Sequence, residues 1–247
     1  MKVIPAIDLM SGQVVRLYKG DKNQKTIYSE DPVSVAKQWE QDGADMLHLV
    51  DLDATLGIGS NIEVIKKILS EVKIPVEVAG GLRDESIILD IAKLCDRVVI
   101  GTLAFKNKEI LKKILETLGP EKIVISVDHK DGEIVIHGWQ DGTGLKLIES
   151  IKEFLNMGFT EFLLTNVNRD GTLEGPDTEF LQQATCFEKI NVIASGGISK
   201  SSDVSLVKEK NAFGVILGKA LYENKISISE AKNLAWLWLK ELFPALM

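Results

Sequence analysis

Eight short apolar runs punctuate the chain, at residues 3–7, 46–50, 76–79, 97–100, 123–127, 161–164, 191–194 and 213–217. Each is too short for an ordinary helix and rich in Val, Ile and Leu, the pattern of strands buried on both faces. Most gaps between them carry apolar residues at helical spacing, over 32–41, 62–69, 86–94, 110–118, 145–155 and 204–207. In the second of these, Ile62, Ile65, Ile68 and Leu69 share one helical face. Asp31 before Pro32 reads as an N-cap followed by proline at the first helical position, where its missing N–H breaks no bond. Alternation of strand and helix over this length predicts an α/β chain forming one (β/α)8 TIM barrel domain over residues 1–247. A doubly wound open sheet is the competing architecture, but it rarely needs eight such regular units.

Two stretches break the rhythm. Residues 130–139 hold Asp131-Gly132, a hairpin turn signal flanked by β-prone residues, and follow the fifth strand. Residues 10–28 follow the first strand, contain Gly12, Arg16, Lys19 and Gly20, and show no helical period; a loop of that length reads as a lid or a disordered segment. The apolar tail at 235–243 reads as the last barrel helix. Any part of it left exposed would offer a weak homodimer contact to an otherwise monomeric protein.

The chain also repeats itself. Gly80-Gly81-Leu82-Arg83 after the third strand matches Gly196-Gly197-Ile198-Ser199 after the seventh. Ile100-Gly101-Thr102-Leu103-Ala104 matches Leu217-Gly218-Lys219-Ala220, and Asp53-Ala54-Thr55-Leu56 matches Asp170-Gly171-Thr172-Leu173. Asp8, ending the first strand, is answered by Asp128, ending the fifth. Four matches in order, at nearly constant spacing and all at strand C-termini, predict two similar half-barrels.

Charge and composition narrow the ligand. With 29 basic against 36 acidic residues the net charge is −7, which argues against nucleic-acid binding. A phosphorylated ligand must then be held by local backbone N–H groups and a few placed cations. No apolar run is long enough to span a membrane, and Asp8 interrupts the first one too early for a signal peptide. Cys95 and Cys186 show neither metal-ligand nor disulfide spacing, so a cytoplasmic protein is expected.

Barrel active sites sit at strand C-termini, with a phosphate site after the seventh and eighth strands. Gly196, Gly197 and Gly218 fit such a site, and the repeat implies a second one at Gly80, Gly81, Gly101 and Thr102. Two facing anion cradles imply a small-molecule ligand with a phosphate at each end. Asp8 and Asp128 fall between them, as an opposed pair suited to proton transfer if one is ionised and the other protonated. No nucleophile elbow, zinc motif or dinucleotide-binding glycine motif is present, so neither cofactor nor metal is expected.

At this point the sequence resembles the ProFAR isomerase family of histidine biosynthesis. The carrying motifs include Pro5-Ala-Ile-Asp-Leu-Met-Ser-Gly-Gln-Val-Val-Arg-Leu-Tyr-Lys-Gly-Asp21, His48-Leu-Val-Asp-Leu-Asp53 and Val76-Glu-Val-Ala-Gly-Gly81. Val98-Val-Ile-Gly-Thr102, Asn168-Arg-Asp-Gly-Thr-Leu173 and Ala194-Ser-Gly-Gly-Ile198 continue them in the family's order. The resemblance implies a cofactor-free Amadori rearrangement of an aminoaldose to an aminoketose. It implies Asp8 as the base at the sugar C2, Asp128 as the acid that opens the furanose ring, and Thr165 as an assisting hydrogen-bonding group. Arg16 and Trp139 are implied as lid residues that contact or stack on the aminoimidazole. Asp170 and Gly171 belong to the matching stretch after the sixth strand.

Several positions stay open. Arg83 pairs either with the nearby phosphate or with Asp84 or Glu85; His48 faces either the cavity or the helix layer. Lys219 stands where the first half has Thr102 and would add a cation at its cradle. His129 follows Asp128 and should face the other way. Competing functions are a bifunctional isomerase that also accepts phosphoribosylanthranilate, the related cyclase subunit of imidazole glycerol phosphate synthase, and a barrel that only binds phosphorylated metabolites.

Overall fold

The computed structural model describes residues 1–236. Its elements run β1 (Lys2–Met10), β2 (Gln13–Tyr18), β3 (Asp21–Ser29), α1 (Pro32–Gln41), β4 (Leu47–Asp51), α2 (Leu52–Leu56), α3 (Ile62–Glu71) and β5 (Val76–Ala79). Next come α4 (Glu85–Ala92), β6 (Arg97–Ile100), α5 (Thr102–Lys106), α6 (Lys108–Leu118), β7 (Ile123–Ser126), β8 (His129–Lys130), β9 (Glu133–Ile136) and β10 (Asp141–Lys146). The chain continues through α7 (Leu147–Met157), β11 (Glu161–Thr165), α8 (Thr178–Thr185), β12 (Asn191–Ser195), α9 (Ser201–Glu209), β13 (Gly214–Leu217), α10 (Lys219–Tyr222) and α11 (Ile228–Trp236).

Strands β1, β4, β5, β6, β7, β11, β12 and β13 form a parallel sheet that closes where β13 pairs with β1, from Lys2↔Gly214 to Pro5↔Leu217. This is the (β/α)8 barrel. Alternation along each strand sorts side chains into two layers. Ile4, Ala6, Met46, Ala79, Val99, Val124, Leu163, Ile193 and Ile216 fill the interior. Their neighbours, among them Ile7, Leu49, Val78, Ile125, Phe162 and Val215, pack outward against the helices. Asp31 caps α1 through a 3.1 Å bond from Ser34 N, with Pro32 at the first helical position.

Three expectations change. Residues 10–28 form an antiparallel hairpin, β2 on β1 and β3 on β2, in place of a loop without secondary structure. The apolar pattern concealed it because β3 is almost wholly exposed and β2 interrupts its apolar run with Arg16. The helix expected from 145 begins at Leu147, because the two preceding residues complete β10. α8, absent from the periodicity reading, buries only Leu181 and Ala184 and is started by Asp177, which accepts from Phe180 N at 3.2 Å. Most of the apolar tail at 235–243 lies outside the described residues.

The repeat is visible in the backbone. The turn after β1 is Ser11-Gly12, with φ of 52° and 76°; the turn after β8 is Asp131-Gly132, with φ of 49° and 79°. Each hairpin therefore springs from the same tight turn above its half-barrel. At the ends of β6 and β13, Gly101 (φ −101°, ψ −98°) and Gly218 (φ −111°, ψ −109°) take nearly the same conformation. Gly80 (φ +100°) and Gly196 (φ +93°) each press against the preceding strand's end, at the carbonyls of Asp51 and Asn166. A Cβ at either would collide with backbone.

Gly80→Ala is accordingly expected to cost at least about 3 kcal/mol or abolish folding. Gly144→Ala, also at positive φ (+72°) but with no atom within 4 Å of the added carbon, should cost about 1 kcal/mol. Urea unfolding of both variants checks this; equal losses would refute the close-packed βα turn.

Candidate active site

A cavity of about 200 Å³ opens at the C-terminal end of the barrel, lined by Asp8, Arg16, His48, Gly80, Gly81, Arg83, Gly101, Thr102, Ser126, Asp128, Trp139, Thr165 and Asp170 among others. Beside it lies a smaller recess formed by Gly171, Gly196, Gly197, Gly218 and Lys219; Arg16, Asp170 and Ser195 border both. The residues singled out in the sequence therefore gather at one mouth, the first-half glycines on the main cavity and the second-half glycines on the recess.

The strand ends set the chemistry. Asp8, 9% exposed, projects from β1, and Arg16 from the adjoining β2 places Nη1 3.0 Å from its Oδ2. The other terminal nitrogen of Arg16, Nη2, lies 3.5 Å from Asp170 Oδ1. Burial alone would lower the guanidinium's pKa, but Asp8 and Asp170 reverse the effect and hold it charged. Arg16 thus stands inside the site between two carboxyls, where the resemblance implied a lid residue. The guanidinium also packs directly over Gly218, so a side chain there would displace it.

Asp128 sits across the mouth. Ser126 Oγ donates to its Oδ1 at 2.9 Å and Trp139 Nε1 donates to its Oδ2 at 2.9 Å. Burial raises its pKa against these two donors and the approach of Thr165. Asp170 is shifted upward as well, by burial first, with Arg16 opposing and the charges of Asp8 and Asp128 adding. Three carboxyls border one cavity and the guanidinium pairs with only two of them, Asp8 and Asp170, so protonating one of the three relieves the mutual repulsion.

Trp139 comes from the segment between β9 and β10, where His137, Gly138 and Trp139 all have positive φ, at 54°, 63° and 69°. Its ring lies against Gly20 in the turn between β2 and β3, so the two hairpins meet above the mouth. Thr102 Oγ1 accepts from His137 N at 3.0 Å, which ties the hydroxyl to this segment.

The open positions resolve geometrically. His48 faces the cavity, with Nδ1 2.7 Å from Glu77 Oε1. Arg83 borders the cavity and donates to the Thr55 carbonyl, in place of a pairing with Asp84 or Glu85; Asp84 instead caps α4. Lys219 Nζ donates to the Gly171 carbonyl at 3.2 Å and approaches Glu223 at 3.7 Å, at the edge of the recess. His129 points away, fully buried against Phe180 with ring centroids 4.9 Å apart.

Sequence reasoning missed Ser126, Ser195 and the ion pair of Asp170 with Arg16. Ser126 is two residues before Asp128, so strand alternation alone would have placed it on the same face. The Asp53–Asp170 match breaks down in space: Asp53 accepts from Ser11 N at 2.6 Å and braces the hairpin turn, whereas Asp170 borders the cavity. Among the described residues no His, Cys, Asp and Glu group has metal-site geometry.

Because Asp128 holds its proton more tightly when folded than at the unperturbed 3.8, stability falls as pH rises from there through the folded value, and the full cost persists above it. Asp128→Asn should therefore melt above wild type at about pH 7, with the advantage shrinking toward about pH 4. A melting-temperature difference independent of pH would contradict buried charge as the cause.

Comparison with known proteins points the same way. A protein of Nitrosopumilus maritimus (strain SCM1) is 67% identical over 234 residues, spanning 95% of this chain and 99% of its own. One of Cenarchaeum symbiosum (strain A) is 55% identical over 231 residues, 94% of this chain and 99% of its own. One of Lactococcus lactis subsp. lactis (strain IL1403) is 38% identical over 233 residues, 93% of this chain and 98% of its own. All three bear the name 1-(5-phosphoribosyl)-5-((5-phosphoribosylamino)methylideneamino) imidazole-4-carboxamide isomerase. The sequence pattern of the histidine biosynthesis proteins matches residues 2–227, nearly the whole barrel, and the chain belongs to that family.

Proposed function

We propose that this chain is an isomerase that converts the aminoaldose ProFAR to its aminoketose by an Amadori rearrangement, within histidine biosynthesis in the cytoplasm. The observation that carries the reading is the pair of strand-end carboxyls facing one cavity in different electrostatic settings. Asp8 lies 3.0 Å from a charged guanidinium, while burial raises Asp128. The arginine offers Asp8 a partner that only donates hydrogen bonds, whereas enclosure favours the protonated form of Asp128. The reaction needs an ionised and a protonated carboxyl together.

In the ring-opening step Asp128 gives its proton to the furanose oxygen as the C1–O bond breaks, and the glycosidic nitrogen's lone pair forms a C1=N iminium. Asp8 then takes the proton from C2; the C2–H electrons form a C1=C2 double bond and the C=N electrons return to nitrogen. The enolamine tautomerises to the ketone at C2, with protonation at C1. Atoms and charge balance without any redox partner. Thr165 and Ser126 steady Asp128, and Asp170 with Arg16 sets the charge around Asp8.

Binding is assigned to the two rims. Gly80, Gly81, Gly101, Thr102 and Arg83 receive one phosphate; Gly196, Gly197, Gly218, Lys219 and Gly171 receive the other, through backbone N–H groups and a cation at each end. Trp139 lies close enough to cover a planar imidazole between the hairpins, at the cost of its bond to Asp128. The N-terminal motif and the tryptophan-bearing hairpin favour this reading over the cyclase subunit.

Asp8→Asn and Asp128→Asn should each lower kcat for ProFAR by about 10³-fold or more, with KM changed far less because the phosphate contacts remain. Steady-state kinetics on the purified variants checks this. Turnover near the wild-type level in either one would overturn the acid–base assignment and favour a binding-only barrel.

A further inference from the structure

Beneath the carboxyls, the barrel interior holds charges that the proposed reaction leaves unused. Glu77 on β5, fully buried, stands in register with His48 on β4 and Arg97 on β6. Its Oε1 meets His48 Nδ1 at 2.7 Å, and its Oε2 accepts from Arg97 Nη2 at 2.6 Å. Arg97 Nη1 donates at 3.0 Å to Glu161 on β11, which accepts from Asn191 Nδ2 on β12 at 2.6 Å. A chain of polar contacts thus crosses the barrel and ends on a ring that lines the cavity. Two residues further along the same strands, Ala79, Val99, Leu163 and Ile193 fill the interior with hydrocarbon. An apolar layer was therefore available at this depth too, and buried ion pairs are a poor source of stability compared with it.

The chain constrains the imidazole. Although burial opposes it, the contacts to His48 and Arg97 keep the Glu77 carboxyl below its ordinary range, hence ionised. An ionised carboxylate only accepts hydrogen bonds, so the nitrogen it touches must carry the hydrogen. Nε2 is left for the cavity that His48 lines.

We propose that Glu77 is a positioning residue for the isomerisation: braced by Arg97, it fixes His48 in the tautomer with hydrogen on Nδ1, so that Nε2 accepts a hydrogen bond from a sugar hydroxyl of the substrate. The substrate's identity rests on the function proposed above; the tautomer does not. Glu77 lies out of the cavity and acts only through the ring. Loss of the carboxylate frees the imidazole to place its hydrogen on either nitrogen, and the fraction with hydrogen on Nε2 opposes the hydroxyl donor.

The test uses ¹⁵N-histidine-labelled full-length protein, in which only three imidazoles contribute signals. Wild-type His48, assigned by its loss in His48→Asn, is expected at about pH 8 to show a protonated Nδ1 and an unprotonated Nε2, and Glu77→Gln to show a mixture. In turnover, Glu77→Gln should lower kcat roughly 10- to 100-fold with KM within about threefold, and add nothing in the His48→Asn background. Hydrogen on Nε2 in the wild type, or a Glu77→Gln loss that persists in full without His48, overturns the proposal. The wild-type spectrum decides the tautomer even if Glu77→Gln does not fold. A wild-type protein inactive on ProFAR with the expected spectrum would sink the proposed function alone, leaving the Glu77–His48 constraint established.

Discussion

Everything above the barrel floor depends on how β1 is held. It pairs with β13 over Lys2↔Gly214 to Pro5↔Leu217 and with β4 over Ala6↔His48 to Leu9↔Asp51, then continues past the rim to pair with β2. One strand therefore closes the barrel, raises Asp8 to the mouth and carries the hairpin that delivers Arg16. A slip of one residue in the closing pairing would turn Asp8 into the helix layer and Ile7 into the cavity, because side chains alternate with a period of two. The apolar interior and apolar outer layer on either side make that slip expensive.

Electrostatic crowding follows from this closure. Asp8, Asp128 and Asp170 converge on one cavity, with Arg16 as the close cation of Asp8 and Asp170 alone. Acids gathered in this way weaken a fold, because each carboxylate loses solvent and repels the others. Burial raises Asp128 and Asp170 alike, so the site holds a proton where acid–base work on a single substrate requires one. The hairpins temper the cost by supplying a guanidinium to one side and an indole N–H to the other. They also meet over the mouth through Trp139 and Gly20, so the groups that compensate the carboxyls are those that cover the opening.

The two halves remain similar where backbone does the work and differ where side chains do. Hairpin turns, the Gly80 and Gly196 contacts and the Gly101 and Gly218 angles agree closely. At the end of β4, Asp51 accepts from Asn61; at the end of β11, Asn166 donates to Asp177, the same pairing with the acid and amide exchanged. Arg16 has Ile136 as its counterpart on the second hairpin, by the spacing of Asp8 and Asp128. The cation is thus present on one side only, which makes the two otherwise similar carboxyls unequal.

The eight strands, most helices and the glycine turns were legible in the sequence, because a strand buried on both faces must be a short apolar run and a βα turn that touches backbone must be glycine. Asp8 and Asp128 stood out for the same reason: an acid ending such a run has no packing value. The exposed hairpin strand β3 and the weakly apolar α8 were not legible, since neither buries enough to impose a period. What only the tertiary structure decided is which charges meet. Arg16 and Asp170 lie far apart along the chain, as do Trp139 and Gly20, and Arg97 and Glu161. Their pairing depends on barrel closure and strand register, which fix distances through space, whereas the order of residues along a strand fixes only which face each one occupies.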